Sequence, residues 1–156
     1  MRHSPAKVRA MTLVEILIVI ALMSILAMIS LQAFYSVLSS KSLESETARV
    51  VAELQRARAL TLASKYSSAY GIHLATTSIT LFQGTGYVSA SATNTLSALS
   101  SSVKLTYILA GGGSDIIFQR LTGESTTTGL ITLSLANKAS TTKSITVYQT
   151  GLLDVH

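Results

Sequence analysis

Residues 7–34 read KVRAMTLVEILIVIALMSILAMISLQAF. Between Ala10 and Ser40 the only ionisable side chains are Glu15 and the weakly acidic Tyr35. From Ile16 to Leu31 every residue is aliphatic, Ala or Met except Ser24 and Ser30. With Met11 to Leu13 in front, the run reaches the roughly 20 residues that a helix needs to cross about 30 Å of hydrocarbon. No Gly or Pro occurs from Ala6 to Tyr70, so nothing local ends that helix at a membrane boundary. A secretory signal is the rival reading, with an apolar region of about 7–15 residues closed by a small-residue cleavage site. This run is longer and its small residues, Ala21 and Ala27, interrupt nothing, so cleavage behind it is not expected.

Cations set the orientation. Arg2, Lys7 and Arg9 precede the run, whereas Lys41 is the first cation beyond it and is soon followed by Glu44 and Glu46. The positive-inside rule then puts the N-terminus in the cytoplasm and the bulk of the chain outside. Glu15 is the anomaly. A carboxylate at helix depth costs roughly 2.5–3.5 kcal/mol when central and less near an interface. The bland reading is an acid close enough to the edge to reach the headgroups. The sharper one requires a cation that would otherwise lie unpaired among apolar helices. A free α-amino group, made by cutting just before Met11, would supply it. In a bundle of staggered copies Glu15 could then meet the Met11 amine of its neighbour, a buried pair that specifies register better than it adds stability.

Beyond the apolar run, residues 35–65 keep a helical period. Leu43, Thr47, Val50, Leu54, Ala57 and Thr61 recur at intervals of three and four and form one stripe. Glu46, Arg49, Glu53 and Arg56 lie three or four apart elsewhere and can pair along a solvated side. Together the two stretches predict one helix of about 55 residues, on the order of 80 Å at 1.5 Å per residue. A domain of ~90 residues cannot bury it, so lipid and then sister subunits would have to cover the rest.

After Lys65 the period changes. AYGIHLATTSITLFQGTGY reads as two strands, with turns at 75–78 and 84–86. SVKLTYIL, DIIFQRL, GLITLSL and SITVYQTGLLDV follow, β-branched and aromatic, with Gly, Ser and Thr between them. Ser89–Ser102 reads as a loop. The expected fold class is therefore α+β, a long N-terminal helix packed on a mostly antiparallel β-sheet domain. The chain divides into a leader (1–10), a transmembrane or filament-core helix (11–33), its amphipathic extension (34–66) and a β-rich domain (67–156).

Several function classes lose their footing. The formal charge is +5, but without Arg2, Lys7 and Arg9 nine cations face seven anions, a thin footprint for binding a polyanion. There is no cysteine, hence no disulfide framework or thiolate site. His3, His73 and His156 are isolated, with no metal-ligand spacing and only two Asp. Asp115 with a Ser and a distant His could be written as a triad, yet no Gly-x-Ser-x-Gly elbow exists. AGGGSD at 110–115 lacks the Lys-Ser/Thr of a phosphate loop and reads as a turn. No catalytic constellation, cofactor site or metal site is expected.

The segment RA-MTLVEILIVIALMSILAMI resembles the class III signal of type IV prepilins and type II secretion pseudopilins: a basic leader, a small residue, a large apolar residue, then Thr-Leu-x-Glu and a long apolar helix. It departs from the pattern at Ala10, where Gly is usual, and at Met11, where Phe is usual. The resemblance implies cleavage by a prepilin peptidase between Ala10 and Met11, N-methylation of Met11, and a subunit-docking role for Glu15. The later order resembles the H-type minor pseudopilin (GspH/FimT) branch. It is carried by Leu54, Ala57, Arg58 and Leu62 on the helix, the YGI strand at 70–72, then Phe118, Gly123 and Gly151. The function so implied is a structural minor subunit rather than an enzyme, anchored once in the inner membrane and then assembled into an extracytoplasmic helical filament. Its implied partners are membrane lipid, other pilin or pseudopilin subunits and an inner-membrane assembly platform. The alternative is a minor pilin that binds DNA during uptake through Lys104, Arg120, Lys138 and Lys143, few cations that are not interleaved with aromatics.

Overall fold

The computed structural model describes residues 12–156. One helix, α1 (Leu13–Leu62, 50 residues), leads into a short 3-10 turn at Lys65–Ser67. Eight strands follow: β1 (Tyr70–Leu74), β2 (Ser78–Gln83), β3 (Thr95–Ala98), β4 (Val103–Leu109), β5 (Asp115–Phe118), β6 (Gly129–Leu135), β7 (Lys138–Val147) and β8 (Leu153–Val155). The chain divides into two compact units, one ending at Leu38 and one spanning Ser39–His156. In the first unit the described helix side chains are exposed, including Leu17, Leu22, Met28 and Val37. Among the described residues no helix is long and apolar enough to cross a membrane.

The second unit has two four-stranded antiparallel sheets, ordered β3-β2-β1-β5 and β4-β6-β7-β8. Alternation along β4 buries Val103, Leu105 and Leu109 and leaves Lys104 and Thr106 exposed, the period-2 signature of a half-covered sheet. Facing these strands, all six residues of the expected stripe on α1 are buried, none more than 4 % exposed. Leu54, fully buried, gains on the order of 1.5–3 kcal/mol from leaving water. The core joins both sheets and the helix in one cluster that includes Ile72, Phe118, Ile131 and Ile145.

The helix ends at Leu62, four residues short of the expected 66, without a glycine to end it. Instead Ser64, Tyr66 and Ser67 adopt left-handed φ of 49°, 53° and 52°. Thr61 draws the chain back: its buried hydroxyl donates to Ala57 O at 2.9 Å and accepts the Tyr70 N–H at 2.9 Å, fastening the last helical turn to β1. Three strand expectations also change. The segment Ser89–Ser102 holds β3, whose Thr95–Ala98 pairs with β2 although it is largely exposed. β7 begins at Lys138 and bulges where it meets Ser134/Leu135, because pairing with β6 holds a polar stretch that has no apolar alternation. SITVYQTGLLDV is not one strand, since a turn at Tyr148–Gly151, closed by Gly151 N–H donating to Tyr148 O, separates β7 from β8.

Candidate functional site

The first turn of α1 is built by its own sequence. Thr12 stands as N-cap, its Oγ1 accepting the Glu15 N–H at 3.3 Å, while its carbonyl accepts the Ile16 N–H at 3.3 Å. Glu15 is the third helical residue, so Thr12-Leu13-Val14-Glu15 is the Thr-x-x-Glu pattern of a capping box. An acid in the first turn also sits at the positive end of the helix dipole. The Thr-x-x-Glu spacing was present in the sequence and marks Thr12 as a positioning residue that the reading by charge alone passed over. Ala10 and Met11, the expected cleavage and methylation positions, and the leader 1–10 lie outside the described residues.

A second cluster gathers residues that the sequence spread over about 90 positions. Arg58 Nε donates to Gly123 O at 3.0 Å and its Nη2 to Thr150 O at 3.3 Å, tying two turns to the helix. Gly151 adopts φ +73°, and a Cβ there would lie 2.1 Å from Gly123 O and 2.7 Å from Arg58 Nε. Gly123, at φ +67°, packs on Leu62. The Arg, the two glycines and Leu62 of the resemblance therefore form one junction between helix and sheets. Its role is to hold the head on the helix.

The four cations of the nucleic-acid reading do not converge. Arg120 binds Ser64 Oγ through Nε and Nη2 at 3.1 and 2.9 Å. Lys104 pairs across from Ser134, on the opposite face of its sheet from Lys143, which pairs across from the buried Leu133. His73, which looked isolated, meets Asp115 across the β1–β5 register, Nδ1 to Oδ1 at 2.6 Å. Tyr87 stacks on the imidazole at 3.9 Å between centroids and donates its N–H to Asp115 Oδ2 at 3.3 Å. This cluster pins the segment after β2 to the sheet, and no sequence spacing announces a pair 42 residues apart. Among the described residues no group of three or more His, Asp or Glu could hold a metal.

Comparison with known proteins bears on both halves of the chain. Residues 5–31 match the prokaryotic N-terminal methylation motif. The fold is similar to that of the type IV minor pilin FimU of Pseudomonas aeruginosa, at 14 % identity and TM-score 0.56 over 73 % of this chain and 92 % of that one. A second crystal form of the same pilin gives TM-score 0.58 at 14 % identity, over 74 % and 89 %. The minor pseudopilin EpsH of the type 2 secretion system of Vibrio cholerae gives TM-score 0.57 at 13 % identity, over 74 % and 96 %. No curated protein sequence matches the chain significantly. The molecule thus has an α+β, pilin-like fold, a long N-terminal helix on antiparallel sheets. More particularly, it joins that fold to an N-terminal methylation motif.

Proposed function

We propose that this chain is a non-enzymatic, structural minor subunit of a type IV pilus or type II secretion pseudopilus. It waits in the inner membrane with its N-terminus in the cytoplasm. A prepilin peptidase cuts between Ala10 and Met11, and the new Met11 amine is methylated. An inner-membrane assembly platform then moves the subunit from lipid into a helical filament of other pilin or pseudopilin subunits. There the exposed aliphatic side chains from Leu13 to Ile29 exchange lipid for neighbouring helices, and Glu15 sets the register by meeting a neighbour's Met11 amine.

The observation that carries this reading is the conjunction at the start of α1: a methylation motif over residues 5–31, continuous with an exposed aliphatic helix on a pilin-like head. Intact-mass measurement after expression with and without prepilin peptidase tests it. The expected product with the peptidase begins at N-methylated Met11. An unshortened chain in both cases would overturn the reading. The DNA-uptake alternative has no observation in its favour, since Lys104 and Lys143 lie on opposite faces of their sheet and Arg120 is bound to Ser64.

A further inference from the structure

We propose that the end of the head at which the chain enters from Leu38 is a basic rim that rests on anionic lipid headgroups while the subunit waits in the membrane. The contact deepens the filament reading above and depends on its membrane-held stage.

Of the five lysines after Ser39, the fold gathers four at this end. Lys41 lies two residues into the unit that begins at Ser39. Ser42 Oγ meets Ser102 Oγ at 3.1 Å, which brings the start of β4 to the same level of the helix. Lys104 follows there, across from Ser134, and Ala136 N–H donates to Ser102 O where β4 and β6 end together. Lys138 opens β7 across from Leu135, and Lys143 lines a pocket with Ser40, Leu43 and Glu44. The fifth, Lys65, lies past Leu62 at the far end, where Arg58 reaches Thr150 O. Lys104 and Lys143 stand on opposite faces of their sheet, so they make no side-on track for a nucleic acid. They share one end of it, and a flat anionic surface approached end-on meets both.

The charge at this rim is not cancelled locally. Its cations are the four lysines and Arg49, and its acids are Glu44 and Glu46. Glu46 is taken up by Arg49 at 3.6 Å and by the Ser100 N–H at 3.3 Å. Glu44 is held below the ordinary carboxylate range by its hydrogen bond from Lys41, at 2.8 Å, with Lys143 adding to the field. Lys104 and Lys138 are exposed and, among the described residues, pair with no acid. Farther along the sheet, Asp154 stands across from Thr146 and the chain's end at His156 pairs with Ser144, which leaves the rim positive.

The chain itself fixes what lies nearest. Phe34, Val37 and Leu38 are apolar and exposed, and Lys41 follows Leu38 by three residues. Three residues span at most about 11 Å, close to the Debye length of about 8–10 Å within which a charged surface is still felt. A layer that covers Leu38 is therefore within reach of Lys41, and a tilt of the head brings the rest of the rim to it. Each lysine that close to an anionic surface favours contact by about fivefold, so Lys104 and Lys138 together give about 25-fold.

The sequence has no cysteine, so a dye on Asn137→Cys reports on the rim and one on Thr150→Cys on the far end. The full chain is reconstituted into phosphatidylcholine vesicles, with and without phosphatidylglycerol, that carry a headgroup quencher. Phosphatidylglycerol should quench the dye at 137 and leave the dye at 150 bright. Lys104→Gln with Lys138→Gln should weaken the contact by about 25-fold, whereas Lys65→Gln, the same loss of charge at the far end, should not change it. Equal quenching in both lipids, or a response that survives the double substitution, would overturn the proposal and leave the filament reading standing. Release of the rim by a short DNA duplex at equal phosphate would overturn it in favour of a nucleic-acid surface. A chain that fails to insert into either vesicle would overturn both.

Discussion

Glu15 carries two separable duties, one inside its helix and one proposed between subunits. As third helical residue behind a Thr12 cap it supports the start of α1, and glutamine can fill that position of a capping box nearly as well. Glu15→Gln should therefore leave helix content by circular dichroism and leader cleavage unchanged, yet reduce the sedimented filament fraction more than about tenfold, since only the charge is lost. Thr12→Val should do the reverse, weakening the helix start by about 1 kcal/mol with a smaller effect on assembly. At the helix–sheet junction the stakes are stability. Gly151→Ala forces a Cβ to 2.1 Å from Gly123 O at φ +73°, and should cost more than about 3 kcal/mol in denaturant melts. Arg58→Ala strips a charged donor from Gly123 O and Thr150 O and should cost roughly 1.5–3 kcal/mol.

At the scale of elements, legibility followed burial. The stripe from Leu43 to Thr61 could be read because one face of α1 is apolar and the 3.6-residue period repeats over five turns; Leu54→Ala should cost about 2–5 kcal/mol. β3 could not be read, because Thr95–Ala98 is held by pairing with β2 rather than by burial, and its composition is that of a loop. The Arg58 junction was legible only as separate motif residues, since nothing local says that positions 58, 123 and 151 meet. The helix end was misplaced for a related reason. Left-handed Ser64, Tyr66 and Ser67 do what a glycine ordinarily does, at a cost of roughly 1–2 kcal/mol each. Ser67 is exposed, so Ser67→Gly should raise stability by about 1 kcal/mol. Just beyond, burial lifts the Tyr70 phenol above its ordinary value of 10.0, with Tyr66 adding to the shift. A raised phenol keeps its proton longer in the folded state, so stability should hold up to about pH 10 and fall as pH rises through the folded value. Tyr70→Phe should flatten that alkaline limb.

The whole molecule separates what folds from what assembles. Among the described residues no buried core side chain precedes Leu43, and every member of the core cluster lies within the unit Ser39–His156. The free energy that holds the sheets therefore draws nothing from the first unit. A chain begun at Ser39 should fold cooperatively and stay soluble without detergent. It should melt within a few degrees of the full chain, because the cut exposes only helix-end donors that Ser39 or Ser40 can cap. The full chain should need detergent or lipid, since the exposed aliphatic side chains between Leu13 and Ile29, with Phe34, Val37 and Leu38, form an apolar surface far larger than a soluble monomer tolerates. Thermal melts and sedimentation of the two chains side by side decide the matter. A molten or aggregated short chain would mean that the first unit contributes to the head's stability, and the division of labour between folding and assembly would fail. A short chain that folds but never enters filaments would leave the aliphatic segment with one remaining task, to be covered first by lipid and then by the helices of neighbours.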